Sequence, residues 1–355
     1  MAHKIETDFR AHHGNMEKKQ SPRFPVGKLP IKTLERLLKR NRIKDPRVIV
    51  GPGIGEDAAV IDTGGPRYLI AKTDPITFTA DQIGWYAVHI NANDIVTMGA
   101  RPLWYLATLL LPEDLTTQDL AEKIFRDTMK ACKSIGVSLI GGHTEITYGL
   151  SRPIVVGQML GEVEKHRLVR TNGARPGDAI ILTKGIAIEG TAVIARERED
   201  EMVQILGEQT LMRCRNFMYD PGLSVIEEAL VASEHASVHA MHDPTEGGLA
   251  TALHEVARAA NVGLLVQAET VPVFRETQAI CNHYHLNPMG LIASGALLII
   301  LQANAAEKVL TRLRSQGIAA TVIGKVTDKR EGVKLLTADG LSNLPLYEQD
   351  ELTKI

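Results

Sequence analysis

Apolar residues first gather at helical spacing at Ile31, Leu34, Leu37 and Leu38, with Lys and Arg between them, which predicts a basic amphipathic helix within 29–42. The text then turns to short β-rich runs at 48–50, 58–61 and 68–71, the first two separated by a Gly-rich turn. A helix is predicted over 81–98, followed by an apolar strand over 103–111 that Pro112 closes. Thr116 or Thr117 can cap a helix running to position 135, with Ile124 and Met129 on its buried face. Strands follow at 137–140 and 154–158, and then the turn-rich stretch 171–178. Beyond it, predicted strands at 179–182, 238–241, 263–266, 296–301 and 320–326 alternate with helices at 190–198, 224–233, 245–260 and 305–314. Each half therefore reads as a layered mix of helices and strands, with several neighbouring strands able to pair antiparallel.

Residues 1–27 are polar, carry His3, His12 and His13 and show no apolar period, so they read as a disordered tail. Two domains are expected after it, 28–165 and 166–345, in line with a chain of 355 residues. Hydrophobic residues at 44% and charged residues at 23% belong to a globular chain, and a net charge of -2 argues against a nucleic-acid binder. No apolar run approaches the ~20 residues of a membrane span, and no basic start leads into an apolar export signal. Cys132, Cys214 and Cys281 are far apart and outside any CxxC spacing, so a cytoplasmic, reduced location is expected, with neither a disulfide framework nor a cysteine zinc site.

The informative chemistry is a series of acids in short motifs, most of them containing Gly or Pro. Glu56 and Asp57 stand in GPGIGEDAAV, Asp74 in KTDP, Asp94 in NAND, Glu145 in GGHTE and Asp243 in HDPTEGGL. Hard cations take oxygen ligands and are commonly held by one or two carboxylates plus substrate phosphates. Adjacent glycines let backbone N–H groups approach phosphate oxygens. Together these describe a site for a magnesium-bound polyphosphate. Each acid alone is equally a turn residue or a helix cap. GxxxxGK[ST], a strand-anchored GxGxxG and GxSxG are all absent. His143 and His242 read as hydrogen-bonded structural groups, Lys184 in TKGIAIEG as a loop lysine able to meet a phosphate, and Lys72 either contacts phosphate or points away.

In order along the chain, GEDAAVID, TDPITF, NANDIVTMGARP, GGHTE, RPGDAIILTKG and HDPTEGGLA resemble the AIR synthase-related (PurM-like) superfamily over about residues 28–330. The resemblance implies an α/β (α+β) fold with an N-terminal dimerising sheet domain and a C-terminal α/β sandwich domain. It also implies ATP and Mg2+ as cofactors, a small-molecule acceptor and a homodimer. By position, Asp57, Asp74, Asp94, Glu145 and Asp243 become the metal-binding acids, and Asp94, Asp243 and Lys184 the catalytic candidates. Gly55, Asp57, Asp74, Asn93, Gly141, Gly142, His143, Thr144, Gly247 and Gly248 become the nucleotide contacts. The wording is most similar to hydrogenase-maturation factors of the HypE type, which accept a carbamoyl group on a cysteine in a Pro-Arg-Ile-Cys ending. This chain reads YEQDELTKI there. The expectation is thus ATP-dependent phosphoryl transfer to a small acceptor without the thiocyanate-forming cysteine. The alternatives are thiamine-monophosphate kinase-like activity and a non-catalytic nucleotide-binding protein.

Overall fold

A computed structural model describes residue 24 and residues 26–355. The histidine-bearing tail expected at 1–27 therefore falls almost wholly outside the described residues. Helix α1, Ile31–Leu38, precedes a six-stranded sheet made of β1 (Val48–Val50), β2 (Ala59–Asp62), β3 (Arg67–Ile76), β4 (Arg101–Pro112), β5 (Ser138–Thr147) and β6 (Ile154–Glu164). Its order is β1-β2-β3-β6-β4-β5. All pairs are antiparallel except β4 with β5, which are joined by a crossing helix, α3 (Gln118–Ser134). A seven-stranded sheet follows, from β7 (Asp178–Thr183), β8 (Val238–His242), β9 (Gly263–Gln267), β10 (Leu298–Gln302), β11 (Ala320–Thr327), β12 (Val333–Thr337) and β13 (Gly340–Asn343). Its order is β13-β12-β9-β11-β7-β10-β8. The chain is thus a mixed α/β fold with two sheets, as the PurM-like resemblance implied.

Helix α2, Ile83–Thr97, connects the two halves physically. Every one of its residues is buried. It packs on α3, β3, β4 and β6 on one side, and on α7 (Ile226–His235) and β8 of the second half on the other. That double contact explains why its sequence lacks an amphipathic stripe. Asp94 is consequently a carboxylate in the middle of a buried helix, a costly place for a charge without a partner. Thr117 caps α3 by accepting from the Leu120 N–H, as its position predicts. Ile124 is buried, but Met129, expected on the same face, is 53% exposed.

The second half holds α4 (Ile188–Glu197), α5 (Glu199–Leu206), α6 (Glu208–Asn216), α8 (Gly248–Ala260), α9 (Arg275–Tyr284) and α10 (Ala306–Ser315) besides α7. The pattern missed α5, α6 and α9, which are short and rich in charge, and β12–β13, a hairpin at the sheet edge. Among the described residues no helix is long and apolar enough to cross a membrane, and all three cysteines are free and buried.

Candidate active site

A cleft of about 560 Å3 opens between the halves, a volume ordinary for a small-molecule site. Four segments distant in sequence send an aspartate to it. Asp57 comes from the loop before β2, Asp74 from β3, Asp94 from α2 and Asp243 from the residue after β8. Asp57 and Asp243 lie on loops, Asp94 on the helix predicted over 81–98, and Asp74 within a strand that runs on past the expected 68–71. Asp74 is set by Asn91 across the gap between β3 and α2. Its N–H donates to Asn91 Oδ1 at 2.9 Å, and Asn91 Nδ2 donates to the Asp74 and Ala87 carbonyls at 3.3 and 2.8 Å. Asn91 carried no signal of its own beyond lying in the NAND motif.

Two cations sit among these acids. Lys72 is two residues before Asp74 on β3, hence on the same face. Its ammonium is 3.3 Å from Asp74 Oδ2 and 3.1 Å from Asp94 Oδ1. Burial alone depresses this lysine, but Asp94 and Asp74, then Asp57 and Asp243, outweigh it and hold its pKa above the usual lysine range. His242 lies between Asp57, 2.9 Å from Nδ1, and Glu255, 2.9 Å from Nε2. Burial again opposes charge, yet Asp57 and Glu255 raise the imidazole well above its ordinary value. Both ring nitrogens of His242 thus face a carboxylate, and the ring also stands with Asp57 and Asp243 in a group whose potential ligand atoms all lie within 4.8 Å of one another. Glu255 shows the reciprocal effect: burial raises it, but Lys28 and His242 bring it down to about 2. Lys28 also donates to Thr245 Oγ1 at 3.2 Å, which ties the segment before α1 to the start of α8.

Against this paired background, Asp94 Oδ2 and both oxygens of Asp243 are buried without any hydrogen-bond partner. Burial first, and then Asp57, push Asp243 up to about 7. Buried orphan carboxylate oxygens facing a cleft are the donor set that a hard divalent cation takes, so the residues fit magnesium.

Other expected site residues lie elsewhere. Lys184 is outside the cleft. Its Nζ is 2.7 Å from Glu228 and donates to the Ser224 and Gly222 carbonyls, all nearly buried. Lys184→Ala should leave nucleotide-analogue affinity unchanged and cost about 3–5 kcal/mol of stability, because it strands the Glu228 charge. Paired urea melts and binding titrations check this. Asn93 is likewise structural: it donates to the Leu223 carbonyl and accepts from the Val225 N–H, joining the halves. Gly55 does line the cleft. Gly247 lines it as well, but its N–H is taken by Asp350 Oδ2 at 2.7 Å, and the Gly248 N–H by the Thr245 carbonyl. The α8 amides expected to meet a phosphate are therefore already engaged.

Gly141, Gly142, His143, Thr144 and Glu145 form part of β5 rather than a turn, and are exposed. Register places Gly142 in one row with Ala107, Gly157 and Asp74. Three strand spacings separate it from Asp74, about 14 Å. Its glycine serves the sheet, since a Cβ there would lie 2.0 Å from the Ala107 carbonyl oxygen.

Besides Glu255, two further buried acids of the cleft carried no signal in the sequence. Asp350, near the chain end, accepts from Gly247 and Leu352, and burial pushes it up to about 6. Glu189, at the start of α4, has one buried oxygen without a partner. Burial raises it to about 8, and the nearby charges of Glu246 and Asp350 add to the rise. The unfolded chain ionises this group near its ordinary 4.5. Between there and pH 8 it therefore binds fewer protons than the folded chain, and stability falls with rising pH. Glu189→Gln should remove that loss. Its advantage over the parent chain should grow across the window and level off above it at about 3–5 kcal/mol, read from urea midpoints at several pH values.

The model of the family AIR synthase related protein, N-terminal domain, matches residues 55–163, and that of its C-terminal domain matches residues 175–335. A Methanocaldococcus jannaschii protein named for hydrogenase expression and formation is 30% identical over 321 residues, covering 87% of this chain and 92% of that one. The carbamoyl dehydratase HypE of Rhizobium leguminosarum bv. viciae is 29% identical over 297 residues, covering 81% of each. A crystal structure of the hydrogenase maturation protein HypE in complex with ATP superposes with a TM-score of 0.69 at 25% identity, covering 87% of this chain and 92% of the other.

Proposed function

The chain belongs to the AIR synthase related family, and from that premise we propose that it is an ATP- and magnesium-dependent enzyme that transfers a phosphoryl group to a small acceptor, built on the HypE plan. One observation carries the proposal: aspartates from four separate segments meet in a single cleft, two of them with buried oxygens that no protein group satisfies. Asp57, Asp74, Asp94 and Asp243 are the residues that would hold magnesium on the phosphates. The metal would supply charge neutralisation during transfer, and positioning supplies much of the rest. The cleft lining also includes Leu29, Leu34, Phe78, Leu346 and Tyr347, apolar surface that suits a nucleobase. Free, buried cysteines and an ATP substrate support a cytoplasmic setting.

The exposed β5 motif supports a homodimer as part of this reading. β5 is an edge strand, Ile146 is 62% exposed and the neighbouring Tyr148 is 78% exposed. Edges of that kind are normally paired or covered. A second copy over β5 would give Gly141–Glu145 a place in an assembled site.

Calorimetric titration with the analogue AMPPCP tests the assignment. Binding is expected with magnesium, to be lost without it, and to be weakened roughly 100-fold by Asp74→Ala. No binding with magnesium present, or undiminished binding by the variant, would overturn it. Light scattering on the same sample should report twice the chain mass.

A further inference from the structure

We propose that Lys72 is a built-in replacement for a metal ion, so that the cleft takes one divalent cation per nucleotide rather than two. This rests on the nucleotide-binding reading above and goes beyond it by fixing the number of ions and the group that stands in for one.

Two observations lead there. The first is position. The ammonium of Lys72 bridges Asp74 Oδ2 and Asp94 Oδ1 at 3.3 and 3.1 Å. Two carboxylates from different elements, β3 and α2, thus already share one cation. An ion bridging those same oxygens would have to displace a nearly buried lysine or sit against its positive charge. The second is the location of the unused oxygens. Asp94 Oδ2 and both oxygens of Asp243 are the buried aspartate oxygens of the cleft left without partners. Asp94 therefore turns one oxygen to the lysine and keeps the other free. The divalent ion belongs away from the lysine, where Asp57 and Asp243 offer ligand atoms within 4.8 Å of one another. Lys72, with three donors and only two carboxylates to serve, has one N–H left for a phosphate oxygen.

Manganese in place of magnesium makes the count visible. The full-length protein is saturated with AMPPCP and titrated with Mn2+, and free Mn2+ is read by electron paramagnetic resonance. One bound Mn2+ per bound nucleotide is expected for the unaltered chain, and two for Lys72→Ala, whose vacated carboxylate pair can accept an ion. Lys72→Arg should keep the count at one. Two ions per nucleotide in the unaltered chain would overturn the proposal while leaving nucleotide binding intact. A count of one in both the unaltered chain and a folded Lys72→Ala would overturn it as well. Should Lys72→Ala fail to fold, the unaltered chain and Lys72→Met, which keeps the stem without the charge, decide the matter by the same count. Absence of both AMPPCP and Mn2+ binding would instead remove the nucleotide reading and this inference with it.

Discussion

Asp243→Asn is expected to weaken binding of the magnesium–AMPPCP complex by roughly 100-fold and to leave the folded protein equally or more stable. The first effect follows, under the proposed function, from deleting a charged group that would hold the metal in a buried, pre-arranged site. The second follows from the same burial. Asp243 is about 1% exposed, neither oxygen has a partner, and its pKa is pushed up to about 7. At pH 8 the folded chain therefore holds an ionised, unsatisfied carboxylate that the unfolded chain keeps in water, and the folded state is penalised. The amide removes that charge. Loss of ligand together with preserved or raised thermal stability is the signature of a group kept for function at a cost to the fold. Titration calorimetry and thermal melts at pH 8 check the pair. A variant that binds normally, or one that unfolds, would show Asp243 to be structural.

Gly157→Val is expected to be the most damaging substitution near the site, although position 157 touches no ligand. Gly157 sits on β6 directly opposite Asp74. A Cβ there would come 2.3 Å from Asn91 Nδ2 and 2.7 Å from the Tyr105 hydroxyl. Tyr105 is fully buried and Asn91 is locked on the Asp74 backbone, so neither can move aside cheaply. Overpacking of this kind typically costs about 1–3 kcal/mol, and a branched side chain lies at or beyond the upper end. Expelling Asn91 would also free the Asp74 backbone. Asn91→Ala separates the two effects, since it removes the tether without the clash. A urea midpoint lowered much more by Gly157→Val than by Asn91→Ala, with analogue affinity reduced in both, is the expected pattern. Equal stability of the two would show that the strand tolerates a side chain at 157.

The family resemblance was readable because its motifs are local strings in fixed order, and so was the convergence of Asp57, Asp74, Asp94 and Asp243. The alternating strands and the Thr117 cap were readable for the same reason: pleat, helical period and capping act between near neighbours in sequence. The arrangement of cations was not. Lys72 could have pointed either way from its strand, and its meeting with Asp94 needs α2 to lie across β3. His242 read as a hydrogen-bonded histidine, but its partners are Asp57, 185 residues away, and Glu255 of α8. The GGHTE string looked like a phosphate turn because double glycines usually make turns; here pairing with β4 draws it into an extended edge strand. Lys184 and Asn93 looked chemical because they sit in family motifs, yet Lys184 is held by Glu228 and two carbonyls within its own half, and Asn93 by the backbone of Leu223 and Val225 across the halves. Near-neighbour rules in the amino-acid order thus marked most of the strands and helices and the acids that meet in the cleft. Which charges are already neutralised, and which oxygens are left without a partner, came from contacts between distant segments, because Coulomb and desolvation energies depend on separation in space and not along the chain.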